Sequence, residues 1–207
     1  MRRQLEKAVR ESLDYCVRHD FEISDEKAFS VYVAFYFTKA INEIGHRIIL
    51  QFERPVFKEA DFSDLFSERE RLDILLCVGD EKVGIEFKYP KKSDQQPVKK
   101  RADVYQAIGR LVRLTQKRFL DRGFLICASD NNDVYSSEGK TYPVYNGYSI
   151  AKDSYILQDK PHDEVDKHSS YGRIWNCRAP NLIEFQWHEI AGCTYRYLSP
   201  IEVLGVR

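Results

Sequence analysis

Three charged residues define the chemistry this chain could perform: Asp73, Glu86 and Lys88, all within RLDILLCVGDEKVGIEFKYP, residues 71–90. Two carboxylates brought to one point can hold a divalent cation, and magnesium usually takes one or two carboxylates together with substrate phosphate and water. Such an ion acidifies bound water and offsets charge on a phosphate. A lysine beside it adds a compact positive charge that can hold the attacking water or offset developing negative charge. The set suits metal-assisted hydrolysis of a phosphodiester. It also fits an ordinary solvated hairpin face, so its meaning depends on the elements that position it.

Those elements read as a hairpin. Leu72, Ile74, Leu76 and Val78 alternate with Asp73, Leu75 and Cys77, and Val83, Ile85 and Phe87 alternate with Gly84, Glu86 and Lys88. Period-two patterning broken at Gly79-Asp80 predicts two strands and a tight turn. A turn centred on Asp80-Glu81 pairs Val78 with Val83, Leu75 with Glu86, and Asp73 with Lys88. One face is then wholly apolar, and the other carries the three charges. Directly opposed Cβ atoms lie roughly 5 Å apart and diagonal ones about 7–8 Å, close enough for both acids to share an ion.

Around the hairpin, residues 2–18 predict an amphipathic helix on Leu5, Val9, Leu13 and Val17. Residues 26–44 predict a second one, capped by Ser24 or Asp25 and followed by Gly45. Ala28, Phe29, Val31, Val33, Ala34, Phe35, Phe37, Ile41 and Ile44 cover most of its circumference, which predicts a central helix. Residues 47–56 read as a strand and KEADFSDLFSERE as a polar connection. After a basic, turn-rich KKSDQQPVKKR, a helix from about Val98 to Phe119 turns Val104, Ile108, Leu111, Val112 and Thr115 inward. Gly123 supplies its stop, and FLICAS is a short buried strand. This order predicts an α/β fold around a mixed sheet. Residues 131–180, rich in Tyr, Asp, Ser and Gly, predict an ordered insert of short strands and turns. LIEFQWHEI and CTYRYL predict a closing strand pair.

Charge adds a second clue. The chain balances 32 basic against 32 acidic residues, which argues against a generic nucleic-acid binder. Residues 88–118, however, hold ten basic side chains (Lys88, Lys91, Lys92, Lys99, Lys100, Arg101, Arg110, Arg113, Lys117 and Arg118) and only two acids. Arg110, Arg113 and Lys117 share a helix face by their spacing. Such a stripe beside a metal site suits a phosphate backbone, and a solvated helix face accounts for it equally well.

Composition bounds the rest. The 207 residues, 43% hydrophobic and 13% aromatic, suit one domain with an ample core. No run of apolar residues is long enough to span a membrane, and MRRQLEKAVRESLDY lacks the apolar stretch of a secretory signal. The five cysteines form no CxxC pair or zinc spacing and read as reduced, mostly buried thiols of a cytoplasmic protein. The five histidines form no cluster, and GxSxG, Walker A and GxGxxG are absent.

Asp73 followed on the next strand by Glu86-Phe87-Lys88 resembles the motif of the PD-(D/E)XK nuclease superfamily. The α-β-β-β-α-β order of its restriction-endonuclease-like core matches residues 26–128, about half the chain. The resemblance implies one domain over residues 1–207, with a core at about 26–128 and an irregular β-rich elaboration at about 129–207. It implies metal ligation by Asp73 and Glu86 and a catalytic role for Lys88. Gln106 resembles the helix glutamine or basic residue that some members place near the site, and a solvated helix position suits it equally. For the glutamate that many members contribute from the helix before the sheet, Glu43 is the better match and Glu53 the rival. Leu72 replaces the proline of the motif. The implied activity is magnesium-dependent cleavage of nucleic acid, DNA rather than RNA, with manganese as a substitute ion. Lys91, Lys92, Lys99, Lys100, Arg101, Arg110, Arg113 and Lys117 are the implied backbone contacts, and a homodimer would suit cleavage of both strands of a duplex. The alternative is a catalytically idle module of the same fold that binds nucleic acid or protein.

Overall fold

Apolar spacing and two left-handed stops set the helices. In the computed structural model, the described residues are 1–42, 48–55, 71–94, 97–135, 150, 155–156 and 183–204. Helix α1 (Arg2–Arg18) buries Leu5, Ala8, Val9, Leu13 and Cys16. It ends where Asp20 turns left-handed at φ 52°, so that the Phe21 amide donates to the Cys16 carbonyl at 2.8 Å, a Schellman closure. Helix α2 (Glu26–Asn42) is capped by Asp25, whose Oδ1 accepts from the Ala28 amide at 2.7 Å. Helix α3 (Pro97–Gln116) begins on a proline, whose missing N–H costs nothing at that position. Its stop is Arg118 at φ 58°, with the Phe119 amide donating to the Leu114 carbonyl at 3.0 Å. Gly123, expected to supply that stop, lies inside the following strand instead.

The strands are β1 (Ile48–Pro55), β2 (Arg71–Val78), β3 (Glu81–Lys88) and β4 (Arg122–Ser129). After the single turn α4 (Asn132–Tyr135) come β5 (Tyr155–Ile156), β6 (Ile183–Glu184), β7 (Trp187–Glu189), β8 (Arg196–Leu198) and β9 (Ile201–Leu204). Seven strands form one mixed sheet in the order β1-β2-β3-β4-β8-β7, with β9 also on β4. β3 and β4 are parallel, with α3 crossing between them, and the other pairs are antiparallel. The closing strand pair is present as β7 and β8. β9, which the sequence reading did not separate, completes the edge of β4. Most of the expected insert, the polar connection after β1 and Glu43 lie outside the described residues.

Two cores flank the sheet. Ile74, Leu76, Val83, Ile85 and Phe87 pack with α1 and α2, whereas Leu75, Leu125 and Cys127 pack with α3. Both faces of the hairpin are therefore covered, although only one was expected to be. Helix α2 departs from expectation in the other direction. Phe29, Val33, Ala34, Phe37 and Ile41 are buried, but Val31 and Phe35 stay 55% and 65% exposed. The helix lies on the sheet as an outer layer, so its apolar circumference exceeds what the sheet and α1 can cover.

The hairpin register differs from the expected one by two residues. Val78 pairs with Glu81 and Ile74 with Ile85, so Gly79 and Asp80 form the turn. Gly79 has φ 61° and open space where a Cβ would stand, so backbone conformation, not crowding, favours glycine there. A shift of two keeps the alternation of faces, but Leu72, expected beside Ile74 and Leu76, packs in the core with α3 instead. The shift brings Asp73, one residue beyond the last ladder pair Ile74↔Ile85, towards Glu86 and the Phe87 amide rather than Lys88.

α3 approaches β4 so closely that a Cβ on Gly123 would lie 2.9 Å from Leu111 Cβ. That contact is with a rigid part of Leu111, so neither element can yield cheaply. Gly123→Ala should destabilise the protein by about 1–3 kcal/mol, read from urea unfolding midpoints at constant m-value. A variant as stable as wild type would mean that α3 shifts freely on the sheet.

Candidate active site

The site lies at the carboxyl end of β3, between that strand, α2 and α3. Asp73 is half-buried on β2, and its Oδ2 accepts from the Phe87 amide at 2.7 Å. This bond ties the aspartate to β3 and leaves Oδ1 as its second acceptor. Glu86 has no exposed surface. Both of its oxygens accept from Arg110 Nη1 on α3, each at 2.9 Å. Lys88 ends β3, and its Nζ donates to Glu26 Oε1 at 2.8 Å and to the Phe87 carbonyl at 2.6 Å. Glu26 Oε2 also accepts from the Tyr89 amide at 3.3 Å. The stacked rings of Phe29 and Tyr89, with centroids 5.5 Å apart, hold the start of α2 against this strand end.

Electrostatics follow from burial. Desolvation pushes Glu86 up to about 7, against the pull of Arg110. Desolvation also raises Asp73, outweighing Lys88 and the Phe87 amide. For Lys88, burial pulls downward, but Glu26, Glu86 and Asp73 together hold it above the ordinary lysine value. Lys88 therefore remains a cation at neutral pH and cannot serve as a general base. Both acids stay raised despite two neighbouring cations, because burial outweighs them. Among the described residues, no group of three or more His, Cys, Asp or Glu side chains converges on a metal position. Two carboxylates with a nearby carbonyl and water fall within what magnesium accepts.

A cleft of about 220 Å³ adjoins the site, lined by Glu26, Lys88, Tyr89, Lys100, Gln106 and Arg110 among others. Gln106 and Lys100 are thus beside the catalytic candidates. The other basic residues scatter. Arg101 is buried, and its guanidinium donates to the Asp133 carbonyl, tying α3 to α4. Arg113 is half-buried, Lys117 is exposed beyond the end of α3, and Lys92 is exposed after β3. Lys91 Nζ donates to the Ser24 carbonyl. The side chain of Lys99 lies outside the described residues. Arg110, Arg113 and Lys117 therefore do not form the uniform exposed stripe that their spacing predicts, because the helix face they share is turned partly into the sheet.

The two acids considered for a third position fare differently. Glu43 lies outside the described residues. Glu53 is exposed, with φ 51°, between the pairs Phe52↔Ile74 and Arg54↔Leu72. The structure instead brings Glu26 to Lys88. Sequence reasoning passed over Glu26 because an acid in the first helical turn is already explained by the helix dipole.

Other chemistry is poorly supported. His188 Nε2 lies 2.7 Å from Ser199 Oγ, but Glu6 approaches the same nitrogen, at 4.0 Å. A relay would require the acid on the other ring nitrogen. Cys16 and Cys127 are buried thiols raised by desolvation, and Cys77 and Cys193 are half-buried. No described helix is long and apolar enough to cross a membrane.

A carboxylic acid raised on folding binds its proton more firmly folded than unfolded. Folding therefore takes up a proton between the ordinary 4.5 and about 7 for Glu86, and stability falls as pH rises across that window. In chelator, urea unfolding of wild type should lose up to roughly 3 kcal/mol more over this interval than Glu86→Gln does, at about 1.4 kcal/mol per pKa unit. Parallel pH profiles would mean that Glu86 ionises as it does in the unfolded chain. No family model, curated protein or solved structure matches this chain.

Proposed function

We propose that this chain is a magnesium-dependent nuclease of the PD-(D/E)XK type, hydrolysing phosphodiester bonds of nucleic acid, with DNA as the substrate class. The observation that carries the reading is the meeting of Asp73, Glu86 and a Lys88 held charged by its acidic neighbours at one strand end. The element order α2-β1-β2-β3-α3-β4 is that of a restriction-endonuclease-like core.

Asp73 and Glu86 are the residues that would hold the ion, with the Phe87 carbonyl beside them. When bound, magnesium or manganese supplies Lewis acidity to the phosphate and acidifies a water. Lys88 neutralises charge that develops on the phosphate, an electrostatic role suited to an amine that keeps its proton. Glu26 positions Lys88 and, by its own charge, maintains the ammonium. Lys100 and Gln106 line the cleft where a flanking phosphate and sugar would lie. The Glu86–Arg110 pair favours the second reading, an idle binding module, because it neutralises a ligand carboxylate with an internal cation.

Hydrolysis of duplex DNA, single-stranded DNA and structured RNA, with magnesium, manganese or chelator, separates the two. Wild type should cleave only with metal, and Asp73→Asn should be inactive yet still bind. Lys88→Ala should lose about 10²–10³-fold, the usual cost of one electrostatic stabiliser. Activity that persists equally in Asp73→Asn would sink the site assignment, and binding without metal-dependent cleavage on any substrate would leave the module reading. Glu26→Gln should cost on the order of ten-fold and bring the alkaline loss of activity to lower pH, because Lys88 loses the carboxylate that holds its proton. An unmoved alkaline limb would make Glu26 a structural residue only.

A further inference from the structure

We infer that Arg110 is a displaceable counter-ion of the metal site, holding Glu86 until a divalent cation takes that carboxylate and then turning to a substrate phosphate in the adjoining cleft. The inference rests on the nuclease reading above. Its first support is the shape of the ion pair. Arginine usually meets a carboxylate with two nitrogens in parallel. Here a single nitrogen, Nη1, sits 2.9 Å from both Oε1 and Oε2 of Glu86. It straddles the carboxylate along its bisector, the direction from which a metal ion binds both oxygens. A guanidinium and a divalent cation cannot share that position, because two positive charges would meet on one carboxylate.

The second support is burial. Glu86 has no exposed surface, and when ionised such a buried carboxylate needs a cation beside it, with or without metal. Arg110 meets that need from α3, so displacement exchanges one counter-ion for another and never strands the charge. The third is the space available. The Arg110 side chain is 20% exposed and lines the cleft with Lys88, Lys100 and Gln106. Gln106 is one helical turn before it on the same face. Nη1 also donates to the Arg71 carbonyl at 3.3 Å, so a swing of the guanidinium from Glu86 to the cleft gives up that longer bond as well, and its planar fork suits a phosphate.

Magnesium titration of the full chain tests this without relying on turnover. In calorimetry, Arg110→Gln should bind magnesium more tightly than wild type, because no guanidinium competes for Glu86, and it should bind a short duplex more weakly. In wild type, the Arg110 Nε–Hε signal, assigned by its loss in Arg110→Lys, should move as magnesium saturates the site. With calcium in place of magnesium, it should move again when the duplex is added. If Arg110→Gln does not fold, the wild-type signal decides. Magnesium binding with an unmoved signal, or equal or weaker magnesium affinity in a folded Arg110→Gln, overturns the counter-ion inference alone. If wild type takes up no magnesium, the nuclease reading fails with it.

Discussion

Glu86 is a carboxylate with no exposed surface at the end of a central strand, and the rest of the site is arranged around the need to neutralise it. An uncompensated ion in that position costs several kcal/mol, so a cation must come from whichever element covers the strand. That element is α3, which places Arg110 over Glu86 and lies so close to β4 that only glycine fits at position 123. Lys88 presents the same problem with the opposite sign, and α2 answers it with Glu26. Asp73, Glu86 and Glu26 thus face Lys88 and Arg110, and Lys100 and Asp103 line the adjoining cleft. At an effective dielectric of 20, a pair of unit charges about 4 Å apart interacts by about 4 kcal/mol.

The sequence made the two-sided hairpin legible because alternation at period two survives small errors of register. The pairing of Asp73 with Lys88 was off by two residues, yet Asp73, Glu86 and Lys88 still fell on one face. An error of one residue would have dispersed them. Glu26 was illegible for a different reason. It is 47 positions before Asp73 in the chain, and nothing local distinguishes a helix-start glutamate that favours the dipole from one that grips a lysine. Only the packing of Phe29 against Tyr89 makes the difference, and that is a tertiary fact.

The basic segment shows how far charge counting can be taken. Spacing along α3 correctly groups residues by face, but it cannot say whether the face meets water or the sheet. Arg101 binds the Asp133 carbonyl and Arg110 the buried Glu86, whereas Lys117 lies past the helix end in solvent. One excess of ten basic residues thus contains a structural arginine, a site arginine and exposed lysines. Helix α2 illustrates the converse. Its apolar residues suggested complete burial, but a helix on the outer face of a sheet has neighbours on only part of its circumference. Val31 and Phe35 remain outside that part.

The position of the site within the fold follows from the parallel pair. Open sheets with a strand–helix–strand crossover leave a crevice beyond the carboxyl ends of their parallel strands. β3 and β4 end together at Lys88 and Ser129, and their exits are cross-linked. Ser129 Oγ donates to the Pro90 carbonyl at 2.7 Å, Asn131 Nδ2 to the Lys91 carbonyl at 3.0 Å, and the Lys92 amide to Asp130 Oδ1 at 2.6 Å. These bonds hold the loop after Lys88 against the loop after β4, so Tyr89 and Pro90 form a fixed wall of the cleft. The backbone at this end of the sheet is therefore held on two strands and two stapled exits. What can move is confined to side chains, and of those around Glu86 it is Arg110, reaching in from the helix above, that has open cleft on one side and a carboxylate on the other.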